Sequence, residues 1–337
     1  MRIGFNPHKD QVLPKSEYLH QVIIPVYIPN QEGYFKDSFE ILKLCLNSLF
    51  CTVHKKTFIT IINNGSDIVI AEYLDLLFKQ DKIQEIIHTE NIGKLNAILK
   101  GLAGNNIELV TISDSDVMFL PNWQVETSRV FTTVPDAGVV GIVPQFKMYE
   151  HYCGNVIFDN LFNKKLKLIP VKNKEALIRF YDSIGWDRSY NQDYLKFNLG
   201  IEVKKDLNVL VGSGHFVATY KKDIFGELIS FISYKMGGDS ERYLDKLPLK
   251  KDYWRLTTQD NYAYHMGNVI EDWMLEESNQ IEREYKIPQF DFVEKRRLNS
   301  MLYFIKNRIF IKFISIKWTA KLFLKWKKLP YNMVEKY

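Results

Sequence analysis

Glu108-Leu109-Val110-Thr111-Ile112-Ser113-Asp114-Ser115-Asp116 is an apolar run that ends in two carboxylates one residue apart. Val110, Thr111 and Ile112 are β-branched and Pro121 closes the stretch, so the pattern predicts a buried strand with Asp114 and Asp116 at its carboxyl end. In an open α/β sheet, ligands bind at that end. Two acids placed there repel each other and lose hydration unless a cation or donors compensate them. The pair therefore points to a hard divalent metal with oxygen ligands. The plainer alternative is an ordinary strand end whose aspartates cap the next turn.

On the upstream side, Gln21-Val22-Ile23-Ile24-Pro25-Val26-Tyr27-Ile28-Pro29 reads as a first buried strand that stops at prolines. Phe39, Leu42, Leu46, Leu49 and Phe50 recur at helical spacing over residues 39–50. Residues 57–62 predict a second strand, which runs into the turn signature Asn63-Asn64-Gly65-Ser66-Asp67. A helix is expected over 68–78, a short strand over 83–87, and a helix over 94–102 entered through Asn91-Ile92-Gly93. Strands alternating with helices in this way predict βαβ units and a mainly parallel sheet.

At 337 residues and 46% hydrophobic, the chain can bury a large core as one big domain with additions, or as two domains. Cys45, Cys51 and Cys153 form neither metal-ligand pairs nor an even disulfide framework, which favours free thiols in a reducing compartment. The first residues have no apolar core of signal-peptide length, and no stretch reaches the roughly 18 uncharged apolar residues of a membrane span. The expected location is the cytoplasm. Eleven basic residues and no acid lie between Lys295 and Lys328; removing them from the net +5 leaves −6 on the rest of the chain. The basic character belongs to the tail.

Four pieces in order carry a resemblance: the Ile-Ile-Pro-Val-Tyr strand, the Asn-Asn-Gly-Ser turn, the Asn-x-Gly-Lys-x-Asn helix start and the Ser-Asp-Ser-Asp strand end. Together they resemble the nucleotide-sugar half of family 2 glycosyltransferases with the GT-A fold, clearly over residues 22–123 and more weakly to about 268. The resemblance implies that Asp114, Ser115 and Asp116 are the family's Asp-x-Asp stretch. In that role they would touch the ribose and a Mn²⁺ or Mg²⁺ that holds the donor diphosphate. It further implies that Pro25, Val26 and Tyr27 line the nucleoside pocket, and that Lys94 approaches the base or the phosphates. Asn63 and Asn64 stand where the family commonly has acids. An amide can accept a hydrogen bond but adds no charge.

In the second half, residues 139–144 predict another strand, and from 163 to 205 the pattern loosens into charged and aromatic residues that could shape an acceptor pocket. The small-residue turn Gly212-Ser213-Gly214 then leads into a strand, and the resemblance makes this the segment under the acceptor. Asp239 stands in the place of the acid in the family's Glu-Asp motif, while Gly238 replaces the usual preceding Glu. In an inverting transferase one carboxylate takes the proton from the attacking hydroxyl, a role that falls to Asp239 with Glu241 as the substitute. Gly-Gly-Asp is equally a good helix start. After a strand at 253–258, the resemblance makes His265 a third metal ligand or a phosphate contact; a retaining outcome stays open because the same set serves retaining enzymes. His215 is read as structural.

Lys317, Lys321 and Lys325 fall four apart, with Trp318, Leu322 and Trp326 beside them. This pattern predicts a basic amphipathic helix on an anionic membrane surface over residues 295–328, or a helix packed on the domain with a solvated lysine face. Positive charge confined to an apolar-rich tail speaks against nucleic acid.

The expected architecture is thus α/β of GT-A type. A catalytic domain spans 1–270, with a nucleotide-sugar half at about 20–125 and an acceptor half at 126–270; a helical basic extension spans 271–337. The expected activity is sugar transfer from a nucleotide-diphosphate donor, UDP-linked first, to a saccharide or polyprenyl-linked acceptor in surface-polysaccharide assembly. Such a chain would be cytoplasmic, or peripheral on the inner face of the cell membrane. A glycan- or nucleotide-binding protein on the same fold is the alternative from another class. A nucleotidyltransferase would need a glycine-rich phosphate loop, which residues 1–33 lack.

Overall fold

Apolar runs separated by amphipathic stretches fold as their alternation requires. A computed structural model describes residues 4–6, 8–227, 229–237, 240–283, 286–292 and 300–335, apart from the side chains of Ser240 and Glu241. The elements begin β1 (His20–Val26), α1 (Ser38–Thr52), β2 (Thr57–Asn64), α2 (Ile68–Lys79), β3 (Glu85–Thr89), α3 (Lys94–Leu102), β4 (Leu109–Ser113), β5 (Val117–Phe119) and α4 (Trp123–Thr133). They continue with β6 (Ala137–Gly141), α5 (Gly154–Asp159), β7 (Leu166–Pro170), α6 (Lys174–Ser183), β8 (Phe197–Lys204), β9 (Leu207–Val211) and β10 (Val217–Lys221). Next come α7 (Ser240–Lys250), β11 (Trp254–Thr258), β12 (Ala263–His265) and α8 (Asp272–Gln280). The chain closes with α9 (Ser300–Phe304), a π-helical stretch Ile305–Phe310, α10 (Ile311–Ile314), α11 (Lys317–Trp326) and α12 (Tyr331–Val334).

Ten strands form one sheet in the order β3-β2-β1-β4-β10-β6-β11-β9-β8-β7. β3, β2, β1, β4, β6, β11 and β8 run one way; β10, β9 and β7 run the other. The parallel pairs among β1–β4 need helical crossovers, which α1, α2 and α3 supply. Helices flank the sheet, and the α/β expectation with a mainly parallel sheet is met. Alternate residues of β1 serve opposite faces: Val22, Ile24 and Val26 join one core cluster with α1 and α2, and Ile23 joins another with α3. Burial on both faces explains why these strands read as unbroken apolar runs. Where the sequence pattern loosens, residues 163–205 build β7, α6 and β8, an antiparallel edge whose strands are half exposed.

Under the sheet lies a polar chain. Gln124 accepts from His54 N–H at 2.9 Å through Oε1, which orients its amide to donate to His20 Nδ1 at 3.0 Å. His20 Nε2–H can then donate to Thr111 at 2.6 Å, and Thr111 to Thr219 at 2.6 Å, linking β1, β4 and β10. Both histidines are held neutral. Burial drives His20 well below its ordinary range and His54 down to about 4.

The C-terminal helices are not a separate appendage. Phe323, Leu324, Leu329, Met333 and Val334 share a buried cluster with Leu109, Val130, Phe131 and Leu256. Lys306, 2% exposed, reaches Asp159 Oδ2 at 2.5 Å and Asp252 Oδ2 at 2.6 Å. Trp254 donates to Asp159 and Asn307 to the buried Asp252, at 2.9 Å in both cases, so both carboxylates are hydrogen-bonded as well as paired. Of the tail's basic residues, this one belongs to the interior.

Two outcomes are expected. The folded His54 binds its proton only below about pH 4, whereas the unfolded one does so below its ordinary 6.5. Stability is therefore full above pH 6.5 and lost as pH falls toward 4, by roughly 2 kcal/mol at pH 5 from His54 alone. Denaturant melts at pH 7 and pH 5 measure this. Lys306→Met leaves the buried Asp252 carboxylate without its cation and should cost about 3–5 kcal/mol in the same melts.

Candidate active site

The carboxyl ends of the parallel strands come together at one edge of the sheet. Val26 pairs with Asn63, Asn63 with His88, and Ile23 with Ile112, so Tyr27, the 63–66 turn and Asp114 gather side by side. Pro25 and Val26 are buried within β1, and Tyr27 is the exposed member, its ring edge-on to Phe35 at 5.9 Å. Ser66 stitches the first two strand ends, accepting from Ile28 N–H at 3.0 Å and donating to Val26 O at 3.3 Å.

Asn63 and Asn64 are buried, and their amides serve the turn. Asn63 Oδ1 accepts from Ser66 N–H at 3.0 Å while its Nδ2 meets His88 Nδ1 at 3.0 Å. His88 in turn reaches Asp75 at 3.0 Å. Asn64 Oδ1 accepts from Ile92 N–H at 3.0 Å, tying β2 to the entry of α3. Gly65, which follows Asn64, has φ +85, and a Cβ there would lie 2.7 Å from Asn91 N. Only glycine fits this turn.

Lys94 opens α3 and sets its Nζ 2.6 Å from Asp114 Oδ1. Residues 229–237 lie across this helix end. Asn96 donates to Ile232 O at 2.7 Å and accepts from Ile232 N–H at 2.9 Å, and Lys94 N–H donates to Lys235 O at 2.9 Å. Gly93 must stay small, because at φ +89 a Cβ would stand 2.8 Å from Tyr234 O.

His265 reaches the site through a ribbon. β12 pairs antiparallel with β5, setting His265 opposite Val117, and Met266 N–H donates to Asp116 O at 2.8 Å. His265 Nε2 then lies 3.5 Å from Asp116 Oδ2. Ser183, at the end of α6, donates its one hydrogen to Phe180 O at 2.7 Å. Toward His265 Nδ1, 2.9 Å away, its oxygen can only accept, so Nδ1 carries a proton. In the neutral ring Nε2 is consequently a bare lone pair aimed at a carboxylate, and something positive belongs between them. Asp116 Oδ1 is enclosed and has no hydrogen-bond partner, although the side chain as a whole is 30% exposed. Burial pushes the Asp116 carboxyl above the usual range, and His265 would pull it back down only when protonated.

Among the described residues no three His, Cys, Asp or Glu side chains converge closely enough to hold a metal ion. The donor chemistry nevertheless fits one at Asp116 and His265: an orphaned carboxylate oxygen and an imidazole lone pair suit Mn²⁺ or Mg²⁺. Asp114 is engaged by the Lys94 ammonium, which supplies the positive charge there. Asp239 lies outside the described residues; Glu241 belongs to α7, and nothing is described of its side chain.

Two contributors had no signal in the sequence. Ser183 lies in the loosened stretch and is recognisable only by its contact with His265. Arg255 in β11 is buried, donating to Asp245 of α7 at 2.5 Å and to Ser213 O at 2.6 Å. It thereby holds α7 against the Gly212–Gly214 turn, next to which Asp114 N–H donates to Phe216 O at 2.8 Å. His215 lies 3.9 Å from the same Asp245.

No family model and no curated protein matches the sequence. Solved structures do. Mannosyltransferase PcManGT from Pyrobaculum calidifontis, in complex with GDP-Man and Mn²⁺, is 14% identical with a TM-score of 0.45, over 94% of this chain and 75% of that one. TarS 1–349 from S. aureus is 12% identical with a TM-score of 0.44, over 74% of this chain. This chain spans 60% of that TarS chain. GalNAc-T7 with UDP, GalNAc and Mn²⁺ is 12% identical with a TM-score of 0.47, over 74% of this chain and 43% of that one. Likeness this distant says nothing of chemistry, which rests on the residues described above.

Ser183→Ala removes the group that orients His265 without touching Asp116. Mn²⁺ affinity measured by calorimetry should fall about tenfold, with the melting temperature little changed.

Proposed function

We propose that the chain is a metal-dependent glycosyltransferase. It would move a sugar from a nucleotide-diphosphate donor, a UDP-sugar first, to a saccharide or polyprenyl-linked acceptor in surface-polysaccharide assembly. One observation carries the reading: at the carboxyl edge of the parallel strands, Asp116 has an enclosed, unpartnered oxygen and a histidine lone pair facing it, beside the Lys94–Asp114 pair. Such an edge is where α/β sheets bind ligands. Asp116 and His265 would hold the metal, and Asp114 is near enough in sequence to orient a metal-bound water or a ribose hydroxyl. When bound, the ion supplies positive charge against the charge that develops on the departing diphosphate.

The chain's own groups would do the rest. Ser183 keeps His265 in the tautomer that presents Nε2. The Lys94 ammonium, mobile on its four-carbon stem, can exchange Asp114 for a donor phosphate oxygen. Tyr27 offers an exposed ring beside the donor edge. Asp239, or Glu241, would take the proton from the acceptor hydroxyl as its oxygen attacks the anomeric carbon and the bond to the diphosphate breaks. Acceptors on a polyprenyl carrier would be met at the inner face of a membrane.

A panel of nucleotide sugars with Mn²⁺ tests this. Slow donor hydrolysis is expected for one nucleotide class, and Asp116→Ala should lower it at least about 100-fold through loss of electrostatic stabilisation. Donor binding with no turnover, saccharide acceptors supplied, would instead establish a binding protein on this fold.

A further inference from the structure

The helices that close the chain are two-sided in an unusual sense. Their inner side is accounted for: Lys306 is locked between Asp159 and Asp252, Phe323 and Leu324 are buried, and Lys327 donates to Leu161 O at 2.8 Å and Asn163 O at 3.1 Å. The outer side carries large apolar groups that remain largely exposed among the described residues. Ile309, Phe313, Ile316, Trp318, Leu322 and Trp326 are all 46–67% exposed. In α11, Trp318, Leu322 and Trp326 succeed one another every fourth residue along one outward stripe. Phe162, 86% exposed, extends the stripe by meeting Trp326 edge-on at 5.8 Å.

Cations are interleaved with this apolar surface. Residues 300–335 hold eight Lys and Arg and a single acid, Glu335. Lys321 pairs with Glu335 at 2.7 Å, and Lys325 lies 3.8 Å from it. Arg308, Lys312, Lys317 and Lys328 are exposed and make no ion pair among the described residues.

We infer that this face docks on an anionic lipid surface, with the tryptophans and phenylalanine entering the headgroup boundary and the lysines reaching phosphates beside them. The charge selects the occupant. A second copy of the chain would bring the same basic surface against itself, and that repulsion disfavours self-association. Exposed Trp and Phe ringed by Lys and Arg suit a bilayer interface, where the ring bodies leave water and the long basic stems carry their charges to the headgroups. The attachment is peripheral, since among the described residues no helix is long and apolar enough to cross a membrane. Docking of this kind does not depend on sugar transfer and stands or falls separately.

The full-length chain is tested by co-sedimentation with vesicles of phosphatidylcholine alone and of phosphatidylcholine with phosphatidylglycerol. Binding to the anionic vesicles is expected, with tryptophan emission shifted to the blue and quenched by brominated lipid. Lys312→Gln with Lys317→Gln should weaken it about twenty-five-fold, at roughly fivefold per lysine. Trp318→Ser with Trp326→Ser should weaken it at least about tenfold. These side chains are exposed, so both double variants should keep the wild-type melting temperature. Equal binding to neutral vesicles, no vesicle binding at all, or a concentration-dependent dimer that the tryptophan variant abolishes would overturn the inference.

Discussion

Two carboxylates at the end of a buried strand need compensating positive charge, and the arrangement around β4 is a response to that need. Asp114 takes it from Lys94, a residue that α3 can present only because Gly93 lets residues 229–237 pass close to the helix start. Asp116 faces His265 at 3.5 Å, a residue that arrives on a ribbon from far along the chain. The two acids differ in environment: one meets an ammonium at 2.6 Å, the other has an oxygen shut away from solvent and without a hydrogen-bond partner. Neighbouring carboxylates with unlike surroundings can take unlike roles.

The same electrostatic logic recurs twice away from this edge. Arg255 is buried against Asp245 and the Ser213 carbonyl, joining α7 to the turn beside the site. Lys306 is buried between Asp159 and Asp252, joining the C-terminal helices to α5 and to the start of β11. A buried pair of this kind adds less to stability than it removes when broken, so its effect is chiefly to specify which surfaces meet. The consequence for the tail is geometric: with Lys306 and Phe323 turned inward, Lys317, Trp318, Leu322 and Trp326 of α11 are among the side chains that turn out.

Much of the fold was legible in the sequence because burial on both sheet faces writes itself as unbroken apolar runs, and crossover helices write themselves at a period near 3.6. β1, α1, β2, α2 and α3 fall within a few residues of their expected bounds, and Asp114 and Asp116 sit at the strand end as expected. The stretch 163–205 was not legible. Its strands lie at a half-exposed antiparallel edge, where neither face demands a continuous apolar pattern. Asn63 and Asn64 were recognisable as a turn, but their use as internal hydrogen-bonding groups, to Ser66, His88 and Ile92, depends on neighbours the turn signature does not name.

The sequence by itself determined the strand and helix order, the carboxylate pair and the segregation of positive charge into the tail, because each is a local property of composition and period. Tertiary structure alone decided that Ser183 orients His265 toward Asp116, that Lys94 rather than another base meets Asp114, and that Lys306 faces inward while Lys312 and Lys317 face out. Those relations join residues whose separation along the chain carries no pattern. They exist only once strand pairing and helix docking have brought the partners within a few ångströms, where charge and hydrogen bonding discriminate.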